Sequence, residues 1–199
     1  MARRKSLAFL DVGQGDCFVA DTKSGAIIFD GGSSSEDQVG RYRILPYMKY
    51  LGYQKIQIAV ISHMDIDHYS GIKELLEMGK IKYLGLPEIP KDETMKKIIG
   101  IAKKRGTTIF YLSRGRQITT KDGSLKVLHP QKNSQMEKNA ASLVMQGKIL
   151  GYRVLLTGDV EKEGEEELLS EELERADILK AAHHGSKNST SNEFLQKVQ

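Results

Sequence analysis

Five short polar clusters punctuate this chain, and each closes an apolar run: Asp11-Val-Gly-Gln-Gly-Asp16, Asp30-Gly-Gly, Ser62-His63-Met64-Asp65-Ile66-Asp67-His68, Thr157-Gly158-Asp159 and His183-His184-Gly185-Ser186. Such a chain has few ways to fold. The apolar runs must be buried as strands, and the polar groups must stand at strand ends, where a rigid scaffold presents reactive side chains on loops. Four of the five histidines fall in just two of these stretches. Hydrophobic residues make up 39% of the chain, which supports a sizeable core and excludes a disordered segment. No apolar run approaches the roughly 20 residues needed to span a bilayer. The single cysteine, Cys17, cannot close an internal disulfide, which excludes a disulfide-stapled scaffold. The basic opening, Met1-Ala-Arg-Arg-Lys5, lacks the apolar stretch of a signal peptide because Asp11 interrupts it.

Apolar periodicity predicts strands at Leu7–Asp11, Asp16–Asp21 and Ala26–Asp30, then a helix over Gln38–Tyr50 bent or restarted at Pro46. A buried strand at Ile56–Ile61 precedes a polar loop and a helix at Gly71–Met78. Next come a strand at Ile81–Leu84, a helix at Asp92–Arg105, strands at Thr107–Leu112 and Ser124–Leu128, and a loop over Pro130–Lys138. A hairpin of Ser142–Gly147 with Tyr152–Thr157 leads to an acidic helix, a strand at Asp177–Ala182 and a helix starting at Ser191. Strands flanked by helices indicate one domain of layered α/β type with mixed strand pairing. The net charge of +4 is uneven: residues 161–177 hold nine acids and two bases, so the remaining residues sum to +11. That balance suits an anionic partner such as nucleic acid and is equally the mark of solvated helix faces.

The most specific cluster is His63-x-Asp65-x-Asp67-His68. Alternate residues of an extended loop point the same way, so His63, Asp65 and Asp67 can converge, with His68 turned in by the following helix. Two imidazoles and two carboxylates match a divalent ion such as zinc, manganese or iron. The alternative is a hydrogen-bonded surface loop, which leaves four polar groups to be desolvated at an apolar strand end. Asp159 alone reads as a helix cap, and His183-His184 alone as a polar loop. Together with the first cluster they supply the further donors that a pair of metal ions needs. His129 and Cys17 read as structural.

In order and spacing, DVGQGD (11–16), FDGG (29–32), SHMDIDH (62–68), NAASLV (139–144), LLTGD (155–159) and LKAAHHGS (179–186) resemble the metallo-β-lactamase fold family. The likeness is greatest to the ComEC-type hydrolase domains of competence DNA uptake and their stand-alone relatives. It implies a four-layer αββα sandwich with two divalent ions, zinc or manganese, at one edge. His63, Asp65 and Asp159 would hold the first ion; Asp67, His68, a bridging Asp159 and His183 the second. Chain order favours His183 as the ligand, leaving His184 for proton donation or substrate contact. Asp16 and Asp30 would orient ligands through hydrogen bonds. Asp65 and Asn139 stand where the zinc hydrolases of the family carry histidines. This hardens the first site toward manganese or magnesium, or leaves it weakly filled, and argues against ordinary β-lactam hydrolysis.

Relatives of this type continue with further strand and helix beyond the position of Gln199, so the resemblance implies a domain lacking its last C-terminal elements. The implied activity is metal-dependent phosphodiester hydrolysis of DNA, with Asp67 orienting the attacking hydroxide and His184, Ser186 or Lys187 contacting phosphate. Two alternatives stand beside it: hydrolysis of a small phosphoester or lactone, and a degenerate domain that binds DNA or a partner without catalysis. The implied location is cytoplasmic for a stand-alone protein, or a soluble domain of a larger membrane DNA-uptake protein.

Overall fold

The computed structural model describes residues 5–136 and 138–199. The basic opening before Lys5 and position 137 of the Pro130–Lys138 loop lie outside them. The chain gathers into two compact units, one of residues up to Leu86 with Lys91–Phe110, the other of Pro87–Pro90 with Tyr111–Gln199. No described helix is long and apolar enough to cross a membrane.

The first unit is built on a six-stranded sheet in sequence order, β1 to β6. β1 (Ser6–Phe9), β2 (Phe18–Thr22) and β3 (Gly25–Phe29) form an antiparallel meander, and β4 (Ile56–Val60) and β5 (Ile81–Pro87) continue it in parallel. The change to parallel pairing requires crossovers, and helices supply them. A π-helical turn at Gly40–Ile44 leads into α1 (Leu45–Tyr50), with Pro46 in its first turn, so the expected restart at this proline is found. α2 (Ile66–Glu77) joins β4 to β5, and α3 (Glu93–Lys104) joins β5 to β6 (Thr108–Leu112).

α2 begins five residues before the predicted Gly71, which is a correction. Asp65 takes the extended conformation of an N-cap, so Asp67 and His68 belong to the first turn and not to a loop. The buried stripe His68, Ile72, Leu75 and Leu76 has helical spacing from its first member. A histidine heading that stripe hid its start.

The second unit has a five-stranded sheet in the order β11-β10-β9-β8-β7. β7 (Gln117–Thr120), a short polar strand missed in the sequence, pairs antiparallel with β8 (Gly123–His129). The predicted hairpin is present as β9 (Val144–Ile149) with β10 (Tyr152–Leu156), and β11 (Ile178–Lys180) runs parallel to β10. Only α4 (Lys162–Leu169) of the acidic stretch is helical. α5 (Asn192–Val198) is capped by the Ser191 side chain, which accepts from the Phe194 amide. Leu168 of α4 and Phe194 and Val198 of α5 pack with Val144 and Leu155 of the sheet, a buried apolar cluster that fixes both helices.

Candidate metal centre

In the first unit, Asp30 organises the histidine cluster. It closes β3 in the left-handed region, with φ of 57°, a costly conformation for a residue other than glycine. That turn delivers its fully buried carboxylate to three donors: the Ser62 amide at 2.7 Å, the Ser62 hydroxyl at 2.8 Å and His68 Nδ1 at 3.0 Å. A carboxylate only accepts, so the network assigns the His68 proton to Nδ1 and its lone pair to Nε2. Ser62 has one hydroxyl proton and gives it to Asp30. It therefore accepts from His63 Nδ1 at 3.0 Å, which sets the same tautomer in His63. The two rings lie 4.1 Å apart. His63 Nε2 is buried without a hydrogen-bond partner among the described residues, and lies 3.7 Å from Asp65 Oδ2. A buried lone pair without a donor is costly unless a cation meets it, so this donor set fits a divalent metal. Ser62 and its relay were not singled out in the sequence; its place between a strand and His63 was the available signal.

Backbone contact holds the loops of this unit together. Asp16 donates its amide to Asp67 O at 3.1 Å, Gly32 to Asp16 O at 3.2 Å and Gly31 to His68 O at 2.9 Å. A Cβ on Gly32 would lie 2.5 Å from Ile66 O, and one on Gly15 would lie 2.2 Å from Gly32 O. The glycines of DVGQGD and DGG are thus spacers that let the three loops touch. Asp16 Oδ2 lies 3.8 Å from His68 Nδ1. Cys17 is buried, and burial pushes its thiol far above the ordinary range, so it is no nucleophile.

In the second unit, Asp159 follows β10 and is buried. Lys180, the last residue of β11, donates to Asp159 Oδ1 at 3.0 Å and to Gly158 O at 2.6 Å. His184 Nε2 lies 3.4 Å from the other carboxylate oxygen, Oδ2. His183 Nδ1 lies instead 2.7 Å from Glu161 Oε1, to which Asn139 Nδ2 donates at 3.5 Å. Both histidines are left-handed, with φ of 47° and 51°, which sends consecutive imidazoles to different acids. Ser186 is half-buried behind them and Lys187 is exposed. Lys180 and Glu161 were both missed: a lysine ending a strand reads as a solvated tip, and a glutamate within an acidic run reads as surface. His129 is buried in a structural network, donating Nε2–H to Ala140 O at 2.7 Å while Nδ1 faces Glu167 Oε2 at 3.3 Å.

Sequence comparison matches residues 10–199 to the family model of the metallo-beta-lactamase superfamily. The chain is 35% identical to ComE operon protein 3 of Bacillus subtilis, over 96% of its own length and 26% of that protein's. It is 28% identical to competence protein ComA of Neisseria gonorrhoeae, over 94% of the chain and 25% of ComA. It thus spans about a quarter of the length of these curated relatives. Among solved structures, the metallo-beta-lactamase fold protein YhfI of Bacillus subtilis matches with a TM-score of 0.55 at 17% identity, over 83% of this chain and 62% of YhfI. The zinc-bound PqqB of Methylobacterium extorquens also matches at 0.55, with 10% identity over 83% of the chain and 59% of PqqB.

Proposed function

This chain belongs to the metallo-beta-lactamase superfamily and carries the donors of a metal-binding hydrolase, and we propose that it hydrolyses phosphodiester bonds in DNA. The observation that carries the reading is the Asp30–Ser62 relay. It sets both His63 and His68 as Nδ1–H tautomers with their lone pairs at Nε2, the form in which imidazole ligates a divalent ion. The name of one curated relative, competence protein ComA, supports DNA as the substrate class.

The proposed ligands are His63, Asp65, Asp67, His68, Asp159 and one of His183 and His184, with Asp16 and Asp30 orienting them. The geometry favours His184 as the ligand, since its Nε2 is the imidazole nitrogen beside Asp159 Oδ2. His183, whose Nδ1 lies 2.7 Å from Glu161 Oε1, is then the residue placed to contact substrate or pass a proton. When bound, the metal supplies a water of lowered pKa and charge stabilisation on phosphate. With a metal held there, Asp67 would orient the attacking water through its carboxylate, and Ser186 and Lys187 would contact the substrate phosphate. Asp65 is the N-cap residue of α2, and its Oδ2 lies 3.7 Å from His63 Nε2, which suits the pair to a shared ligand role.

Cleavage of single- and double-stranded DNA with manganese, zinc or chelator tests the reading, beside Asp67→Ala. Metal-dependent cleavage abolished by chelator and reduced at least 100-fold by Asp67→Ala is expected. Full activity in the variant would refute the role of Asp67, and no cleavage with any metal would refute the function.

A further inference from the structure

We infer that the solvent face of α1 and of the π-helical turn before it is a docking surface for single-stranded DNA, with tyrosine rings stacking on unpaired bases and cations between them holding phosphates. This surface rests on the DNA reading of the proposed function and adds where the strand lies. It involves none of the proposed metal ligands.

The local sequence builds such a face. Gly40, Ile44 and Met48 recur at every fourth position and are buried, so one side of Gly40–Tyr50 is committed to the core of the first unit. The other side carries Tyr42, 63% exposed, and Tyr50, 77% exposed, the two most exposed aromatic rings among the described residues. The Tyr47 ring stacks beside Tyr50, with centroids 6.1 Å apart and planes inclined by 29°, which broadens the platform. Tyr42 and Tyr50 are about 12 Å apart along the helix axis, room for more than one base of a strand.

The charges on this face suit the same partner. From Gln38 to Gly52 the chain has three bases, Arg41, Arg43 and Lys49, and no acid, and all three bases are exposed. The acids that approach belong to neighbouring segments. Glu74 of α2 accepts from the Arg41 backbone amide, and Glu36 lies 3.9 Å from Arg43 with both side chains about half exposed, a loose pair that phosphate can displace. Rings interleaved with cations hold unpaired strands because every base has a π-face, whereas duplex bases are stacked on one another. A membrane surface fits this face less well. It exposes tyrosines and Pro46, where an interfacial helix presents leucine, phenylalanine or tryptophan.

The face is also fixed beside the metal-binding loops of its own unit. A Cβ on Gly31 would lie 3.0 Å from Ile44 Cδ1, and one on Gly40 would lie 2.4 Å from the carbonyl oxygen of Gly71 in α2, the helix whose first turn holds Asp67 and His68.

Measuring binding and hydrolysis apart tests the surface. Fluorescence anisotropy in chelator reads affinity for an unstructured labelled oligonucleotide and for its duplex, and manganese-dependent hydrolysis of bis(para-nitrophenyl) phosphate reads the metal centre without a strand. Tyr42→Ala and Tyr50→Ala should each weaken single-strand binding by about 5- to 100-fold, change duplex affinity less than about 2-fold and leave hydrolysis of the small diester unchanged. Tyr42→Phe and Tyr50→Phe keep the ring and should bind as the parent does. Should an alanine variant not fold, by circular dichroism, leucine at that position gives the same reading, apolar bulk without a flat ring. Joint replacement of Arg41, Arg43 and Lys49 by glutamine should lower the slope of log affinity on log salt by about 2. Unchanged single-strand affinity in both alanine variants of a parent that binds and cleaves DNA would overturn the docking surface and leave the DNA reading standing. Equal losses on single strand and duplex would overturn it as well, since phosphate contact alone then accounts for binding. Unchanged DNA affinity with lost adhesion to phosphatidylserine vesicles would assign the face to a membrane instead. A parent that hydrolyses the small diester but neither binds nor cleaves DNA would refute the substrate reading and the docking surface together.

Discussion

Asp30 does the work of three residues: it closes a strand, anchors Ser62 by two hydrogen bonds, and sets the tautomer of His68. Its replacement by asparagine separates these duties. Asparagine tolerates the left-handed backbone and its Oδ1 still accepts from Ser62. Its Nδ2 cannot accept from His68 Nδ1, so that imidazole loses its reason to keep the proton there. Asp30→Asn should therefore weaken manganese or zinc binding by about 10- to 100-fold in calorimetric titration. The metal-free urea midpoint should fall far less than in Asp30→Ala, which strands buried donors at about 1–3 kcal/mol each. Equal loss of stability in both variants would show that the carboxylate serves the fold alone. Such divisions of labour were partly legible. The histidines and acids of SHMDIDH announce themselves by density, whereas Ser62 and Lys180 do their work through neighbours that only the three-dimensional register supplies.

At the scale of elements, the first unit is held together by absent side chains as much as by present ones. Gly32→Ala would drive a methyl group against the backbone of Ile66, Asp67 and His68, atoms that cannot rotate away. It should cost about 1–3 kcal/mol in urea unfolding and weaken metal binding, because it shifts the start of α2. Gly100→Ala, inside α3 with nothing near its added Cβ, should stabilise by about 0.5–1 kcal/mol. A Gly32→Ala protein as stable as the parent would remove the spacer argument.

The second unit offers a pH test. Burial holds the His129 imidazole below its usual pKa, with the Ala140 hydrogen bond and Glu167 pulling only partly the other way. Between the folded and unfolded pKa the unfolded chain binds more protons. His129 thus contributes stability that is fully present above about pH 6.5 and is lost as pH falls toward the folded value. The urea midpoint should drop from pH 7.5 to pH 5, and His129→Gln, which keeps a donor for Ala140, should flatten the slope. Element identity was mostly legible because apolar runs and glycine stops dominate it. What escaped was β7, too short and polar to show a period, and the first turn of α2, where the buried position belongs to a histidine. The acidic run was read as one helix because charge counts carry no information about partners: Arg114 takes Glu167 and Glu171, and Glu165 accepts from the Thr190 and Ser191 amides.

Those partners change what net charge means for the whole molecule. Several acids of residues 161–177 are committed to internal contacts, among them Asp177, whose hydrogen bonds with the Arg153 side chain and amide hold its pKa down to about 2. Asp177 therefore stays ionised through mildly acidic pH, and the remaining residues carry a formal balance of +11. If DNA is the substrate, a surface excess of cations acts through phosphate contacts and counterion release, with a slope of log affinity on log salt near −0.7 per contact for single strands. Three to five contacts imply a loss of roughly 20- to 130-fold in affinity between 50 and 200 mM salt. Fluorescence anisotropy with single-stranded DNA in chelator, where cleavage is silent, measures this directly. Mixed-sequence oligonucleotides of one length should share the slope, because backbone contacts carry no sequence information. A flat salt response would mean that the basic excess is solvated helix surface and that any nucleic-acid specificity resides in the metal centre and its loops.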